Sequence, residues 1–240
     1  MEEPLKHFYS LLGFDRKKIR EWAIGEKYLA VMNTGGNIGV CATLGTVMDD
    51  GLFRHGDPDI SNPCHRIILN AYFNSICNYE NIYDERRDIF DSIDFSQHRR
   101  IVMIGYFESL YRKFSEKNIA LEVFDIQKES HILSDISAME RSLAGADSII
   151  LTGTTIFNNT FNDIISIAPA GCNIFLLGPS NILSAEMFRY RGIKVVFGSV
   201  FERNDSRVLE KIAEGSGTRG FLPYLHKVYI INKDYKNEIQ

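Results

Sequence analysis

The sequence predicts an α/β fold, in which a smaller α+β domain precedes a doubly wound, mostly parallel sheet. Four apolar runs in the second half each lead into glycine or small hydroxyl residues, at 101–107, 148–155, 173–180 and 193–200. Apolar runs of this kind are typical of parallel strands that are buried on both faces. Helical patterns alternate with the runs, which indicates right-handed crossovers between the strands. The first half differs, because helices there flank a hairpin.

The composition is that of an ordinary globular protein. The chain has 240 residues, of which 45% are hydrophobic and 24% charged, with a net charge of −4. This length can bury the core of one large or two small domains. A nucleic-acid partner is not expected, because it would require a basic face. The four cysteines form no CxxC pair, which argues against a disulfide framework or a zinc knuckle.

The acidic amino terminus, MEEPLKHFYS, lacks the basic start and apolar core of a signal peptide. No apolar stretch approaches the thickness of a bilayer. We therefore expect a cytoplasmic protein without a membrane partner. The sequence leaves the oligomeric state open, including a homo-oligomer.

Three elements are predicted in the first half. Pro4 and apolar residues at helical spacing predict an opening helix that ends at Gly13. Two β-prone runs, 27–33 and 38–45, flank a glycine-rich connector and predict an antiparallel hairpin. Asn62 as the cap begins a longer helix. The apolar face predicted for this helix consists of Ile67, Ile68, Ala71, Tyr72 and Ile76.

A charged, aperiodic stretch at about 81–100 predicts the junction between two domains, 1–96 and 97–240. Beyond it, residues 119–125 supply a fifth strand. The helices predicted between the strands cover residues 108–117, 136–143, 160–168, 185–191 and 206–213.

The ends of the predicted strands indicate where a ligand binds, because open α/β sheets bind ligands at their carboxyl edge. LTGTTIFNNT, at 151–160, is the densest group of hydrogen-bond donors and leads to a helix start that favours an anion. Helix capping alone would explain several of these residues, although not all. GPSNILS, at 178–184, repeats the arrangement one strand further along the sheet.

The first strand of the sheet lacks a dinucleotide fingerprint. Gly105 is the only glycine present of the G-x-G-x-x-G pattern, and Glu108 would repel a phosphate, so no cofactor is identified. Asp125 ends the second strand, where a carboxylate commonly binds a ribose diol, but an Asp here could equally start a turn. Tyr106 could stack on a planar ligand or fill the sheet edge.

A metal site or a covalent mechanism finds little support. Cys64, His65 and His55 are the soft-metal candidates, yet adjacent helical residues point about 100° apart. Asp57 and Asp59 are more typical of an acidic turn than of a cation site. His131 lies on a loop without a nucleophile motif. No catalytic set can be assigned.

Three linked motifs carry a family resemblance: LTGTTIFNNTFNDII, LLGPSNILSAEMFRYRGIKVVFGSVFER and EGSGTRGF. Between about residues 100 and 221 they resemble the putative heavy-metal chelation family. The resemblance implies a Rossmann-like carboxy-terminal domain packed against an amino-terminal domain similar to that of enolases, with a ligand cleft between them. The residues implied to line this cleft are Gly105, Tyr106, Thr152, Gly153, Thr154, Thr155, Asn158, Gly178, Pro179, Ser180 and Gly198.

The opposing wall of the cleft is expected to come from the hairpin, either from Thr34, Gly35 and Asn37 or from Thr43. The hydroxyls, amides and backbone groups of the cleft suit an organic ligand, an oxyanion or a metal already held by a chelator. The leading hypothesis is therefore a protein that binds a small polar or anionic molecule or a metal complex. The alternatives are a transferase or lyase for a nucleotide-like or cofactor-like substrate, with Asp125 on a diol, and a direct Cys/His metal chelator.

Overall fold

The computed structural model describes residues 1–83, 89–127 and 130–239. Within these ranges it contains a three-stranded antiparallel sheet and a six-stranded sheet. The strands of the first sheet are β1 (Ile19–Ile24), β2 (Tyr28–Asn33) and β3 (Ile38–Ala42). The strands of the second sheet are β4 (Ile101–Ile104), β5 (Leu121–Phe124), β6 (Ser148–Thr152), β7 (Asn173–Leu177), β8 (Ile193–Phe201) and β9 (Leu225–Ile231).

The six-stranded sheet is doubly wound. Its strand order is β5-β4-β6-β7-β8-β9, in which β9 is antiparallel to β8 and the other pairs are parallel. The strand order reverses between β4 and β6. This reversal is the topological switch point at which doubly wound sheets bind ligands. The predicted fold class, a mostly parallel α/β sheet after a smaller α+β portion, is confirmed.

Helices cover both sheets. The α-helices are α1 (Pro4–Leu12), α2 (Gly51–His55), α3 (Pro63–Cys77), α4 (Ile89–Ser92), α5 (Glu108–Glu116), α6 (Met139–Ala144), α7 (Thr154–Phe157), α8 (Phe161–Ile167), α9 (Ser206–Ala213), α10 (Thr218–Phe221) and α11 (Lys233–Ile239). Short 3-10 segments cover Arg16–Lys18, Phe95–Gln97, Ile136–Ala138, Ala185–Arg189 and Leu222–Tyr224. The helix predicted at 185–191 is thus a 3-10 segment, which ends because Tyr190 takes an extended conformation.

The helix α3 begins as the sequence predicts. The Asn62 side chain accepts hydrogen bonds from the backbone N–H groups of Cys64 and His65. The burial of the helix differs from the prediction, since residues on its polar side, such as Asn70 and Asn74, are also buried. The reason is that α3 packs against the three-stranded sheet on one side and α1 and α7 on others.

The three-stranded sheet is covered on its second face by α9. Val208, Leu209 and Ile212 of this helix pack with Ala30 and Val40 of the sheet in one apolar cluster. Apolar packing therefore crosses the predicted boundary between residues 96 and 97. The division into 1–96 and 97–240 stays a prediction, as does the enolase-like character of the first part. Residues 84–88 of the predicted junction lie outside the described ranges.

Two strands were not predicted from the sequence, β1 and β9. Pairing with β9 extends β8 to Phe201, so that Gly198 lies inside the strand and not at its carboxyl end. In the part of the chain that the structure describes, no helix combines the length and the apolar character needed to span a membrane.

Candidate ligand-binding site

A cavity of about 360 Å³ lies at the carboxyl ends of β5, β4 and β6. The ends of these strands form its floor. The segment around Ile136 and Met139 forms one side, and α8 contributes another. Residues of the three-stranded sheet and the loop after it close the cavity from above, namely Tyr28, Ala42 and Leu44. The cavity therefore lies at the switch point of the sheet.

Seven of the thirteen ligand-binding residues predicted from the sequence line this cavity. They share a position at or just after the end of a strand, where parallel strands bring distant segments together. These residues are Gly105, Tyr106, Asp125, Thr152, Thr154, Thr155 and Asn158.

The other six predicted residues are not part of the lining. Those residues are Thr43, Gly153, Gly178, Pro179, Ser180 and Gly198. The fully buried Thr43 donates its hydroxyl hydrogen bond to the carbonyl of Glu26. Ser180 is also buried, and its Oγ accepts a hydrogen bond of 3.0 Å from the Ala42 N–H. Ser180 thus holds the β7 loop against β3, and Ala42 is the residue that reaches the cavity.

The tip of the hairpin between β2 and β3 lies at the end away from the cavity. Thr34, Gly35 and Asn37 are at this tip, where the Gly36 carbonyl accepts a hydrogen bond of 2.9 Å from the Asn204 N–H. The hairpin contributes the opposing wall through its other end, at Ala42 and Leu44. The expectation that the first half of the chain closes the site is consistent with this geometry, but different residues do so.

The threonines of the LTGTT segment largely satisfy one another. The Thr155 hydroxyl donates to the carbonyl of Thr152 at 2.8 Å, and the Thr154 hydroxyl donates to the Thr152 hydroxyl at 3.2 Å. Asn158 Oδ1 accepts from the hydroxyl and the N–H of Thr160, at 2.7 and 3.2 Å. Local turns therefore account for most of these donors. α7 spans four residues and α8 seven, so neither provides a long helix start for an anion.

Gly105 shapes the floor between β4 and β6. Its φ of +90° lies in the left-handed region, and a Cβ here would lie 2.8 Å from the Cβ of Thr152. The Gly105 N–H donates to the Phe124 carbonyl at 2.8 Å, which continues the β4–β5 ladder. Only glycine fits this position without displacing Thr152.

The charge of the lining is negative. Asp125 and Asp163 line the cavity, and its described lining contains no Lys, Arg or His. The remaining surface is mostly apolar. The apolar side chains that sequence reasoning missed are Tyr28, Leu44, Ile104, Phe107, Phe124, Ile126, Ile136, Met139, Ile164 and Ile167. Such residues cannot be distinguished from core residues by sequence pattern.

The candidate metal ligands do not form a metal centre. Throughout the described ranges, no group of three or more His, Cys, Asp or Glu side chains could hold a metal ion. His65 Nδ1 accepts a hydrogen bond of 2.9 Å from the Asp59 N–H, and buried Cys64 lies against the backbone of Asp49. The residues that the chain provides therefore do not fit a directly bound heavy-metal ion.

The cysteine thiols are also poor ligands in their present surroundings, because the thiolate is the form that binds metal. All four cysteines are reduced and buried. Burial raises the pKa of Cys77 and that of Cys172 to about 12. It also raises the pKa of Cys41 and Cys64. These thiols are protonated at neutral pH.

Two solved structures share this fold. A crystal structure of a DUF364 protein of unknown function from Pyrococcus horikoshii has a TM-score of 0.75 and 22% identity, and the match covers 89% of this chain and 93% of the other. A DUF364 protein of unknown function from Desulfitobacterium hafniense has a TM-score of 0.76 and 15% identity, with coverage of 95% and 98%. At these identities the similarity concerns the fold. No curated protein matches the sequence.

The sequence model of one family matches residues 88–231, which is more than half of the chain. This region includes β4 to β9 and most of the cavity lining. The chain therefore belongs to the DUF364 family, whose description is putative heavy-metal chelation.

Proposed function

We propose that this protein binds a small organic molecule in the cavity at the carboxyl ends of β5, β4 and β6. The observation that supports this most is the coincidence of a 360 Å³ cavity with the switch point of the sheet. Small-molecule sites usually measure about 300–1,000 Å³ and prefer switch points. A mostly apolar lining with a few polar groups at one end is also typical of such sites.

The ligand has an apolar body and a polar end. Apolar side chains such as Ile136, Met139 and Ile167 provide contacts for the body, while Asp125, Thr152 and Asn158 provide polar partners. Two carboxylates in a lining without described cations argue against a small anion. The family description concerns heavy metals, and a metal would suit this site only inside an organic complex.

Binding of the neutral fluorescent dye Nile red tests the proposal. The wild-type protein is expected to bind the dye with enhanced fluorescence, because the cavity offers a large apolar surface. Met139→Trp adds volume inside the lining and should abolish the enhancement. Native mass spectrometry of the freshly purified protein should show a retained small molecule in the wild type and less of it in Met139→Trp.

The matched control is Leu11→Trp, which introduces the same side chain at an exposed position of α1 outside the lining. This variant should bind the dye as the wild type does. A second filling variant, Ile136→Trp at the half-exposed mouth, guards against misfolding of Met139→Trp. Equal dye binding by all variants, or no binding and no retained molecule, would refute the proposal.

A further inference from the structure

We infer that the ligand of this cavity is a ribonucleoside without phosphate, in which a cis-diol binds Asp125 and a planar base packs on the apolar wall. The inference rests on the proposed binding function and adds to it the chemical class of the ligand. It is carried by the orientation of one carboxylate, by exposed apolar side chains beside it and by the charges near the first turn of α5.

The carboxylate of Asp125 is held in a fixed orientation at the end of β5. Its Oδ2 accepts a hydrogen bond of 2.8 Å from the Tyr106 N–H, and its Oδ1 accepts one of 2.8 Å from the Gln127 N–H. A carboxylate oxygen can accept more than one hydrogen bond, so both oxygens can also receive hydroxyl donors. Two adjacent hydroxyls, as in a ribose cis-diol, match two adjacent carboxylate oxygens.

The position of this carboxylate in the chain supports the same ligand. Asp125 lies 20 residues after Gly105, which ends the preceding strand. In nucleotide-binding doubly wound sheets, an acidic residue about 20 residues after the glycine turn binds ribose hydroxyls. In this protein, Gly105 and Asp125 line one cavity, so the spacing has the expected structural consequence.

A surface for the base lies next to Asp125. Ile126 is 71% exposed and Ile136 is 47% exposed, although both are large apolar residues that line the cavity with Met139. Exposed apolar side chains that line one cavity mark a surface that a partner covers. A planar base would remove this surface from water while the ribose contacts Asp125.

The surroundings do not suit a phosphate. The chain lacks the second and third glycines that would let a pyrophosphate approach β4. Glu108 lies in the first turn of α5, where its charge opposes an anion. The cations nearby are engaged, because Arg219 donates to Glu108 Oε2 at 2.8 Å and Arg112 also contacts Glu108. A nucleoside would bind better than its nucleotide.

Isothermal titration with adenosine, guanosine, cytidine and uridine tests this inference. At least one ribonucleoside should bind, and its 5′-monophosphate and its 2′-deoxy form should each bind about tenfold more weakly or worse. Loss of a hydrogen bond to a charged group is expected to have an effect of this size. Asp125→Asn should weaken ribonucleoside binding similarly while leaving Nile red binding unchanged.

Asp163→Asn is the matched control, because it removes a charge from the same cavity on α8. It should preserve the preference for the ribo over the deoxy form. If Nile red binds but no ribonucleoside does, the inference fails and the proposed function stands. Equal affinity for the deoxy form, or tighter binding of the monophosphate, would also overturn it. Failure of the dye itself would refute the proposed function.

Discussion

Gly39 lies in β3 directly against α3. A Cβ at this position would lie 2.0 Å from the Ala71 carbonyl oxygen and 2.4 Å from the Ser75 nitrogen. Both are backbone atoms of the helix, so no side-chain rotation can relieve the overlap. The absence of a side chain thus sets the distance between β3 and α3, and with it the height of Ala42 above the cavity.

Replacement of this glycine is expected to destabilise the protein. Gly39→Ala should lower the free energy of unfolding by about 1–3 kcal/mol or more, because the helix must move away from the strand. Urea denaturation followed by circular dichroism measures the change. Gly171→Ala is the control, since a Cβ there would meet nothing within 4 Å. Equal stability of the two variants would contradict the close packing.

A row of buried asparagines on α3 and just after it binds the loop that follows β7. Asn70 donates to the Ser180 carbonyl at 2.8 Å, and Asn74 donates to the Val40 carbonyl at 2.9 Å. Asn78 donates to the Asn181 and Ser199 carbonyls at 3.2 Å and accepts from the Leu183 N–H at 2.8 Å. The helix thereby fixes the backbone of GPSNILS, whose Ser180 holds Ala42 over the cavity.

Asn78 is the member of this row with the most partners, so its loss should be costly. Asn78→Ala leaves two buried carbonyls and one buried N–H without a partner. We expect the free energy of unfolding to fall by about 3 kcal/mol or more, since each unsatisfied buried group costs about 1–3 kcal/mol. Asn162→Ala, which removes one exposed contact with the Met1 carbonyl, should have little effect in the same denaturation assay. Similar losses in both variants would argue against the role of Asn78.

The asparagine row also shows what the sequence can predict about an element. Helical spacing and the Asn62 cap predicted α3, because both are local features. The burial of Asn70 and Asn74 was not predicted, because it depends on partners about a hundred residues away in the chain. Likewise, the carboxyl end of β6 was predicted, whereas the continuation of β8 through Gly198 depends on its pairing with β9.

The candidate site divides in the same way. Its polar residues Asp125, Thr152 and Asn158 were predicted because they follow strands that must end at one edge. Its apolar wall was not predicted, because Met139 or Ile167 has the pattern of any core residue. Whether Thr43 or its neighbours face the cavity depends on the pleat of β3, which the sequence alone does not place.

Over the whole molecule, packing joins the two halves of the chain. The largest apolar cluster combines residues such as Phe8 and Tyr72 with Ile149 and Leu176. The buried pair between Arg66 and Glu3 adds a polar link, since Arg66 also donates to the Ile60 and Ile156 carbonyls. The cavity is therefore closed by an amino-terminal part that is held firmly on the second sheet.

The four thiols are distributed over this packed interior. Cys41 lies on β3, Cys64 and Cys77 on α3, and Cys172 just before β7. Each has a raised pKa because burial disfavours the thiolate. The native state therefore retains protons that the unfolded chain loses in alkaline solution.

This proton difference predicts that stability falls at high pH. Between pH 9.0, the ordinary pKa of a thiol, and about 12, the native protein keeps the Cys172 proton and the unfolded chain releases it. The free energy of unfolding should therefore fall by about 1.4 kcal/mol per pH unit for this thiol, and the thiol adds no slope below pH 9.0. Cys172→Ala should lose that part of the slope. Urea denaturation at a series of alkaline pH values measures both slopes, and parallel curves for the two proteins would show that Cys172 is ionised in the native state.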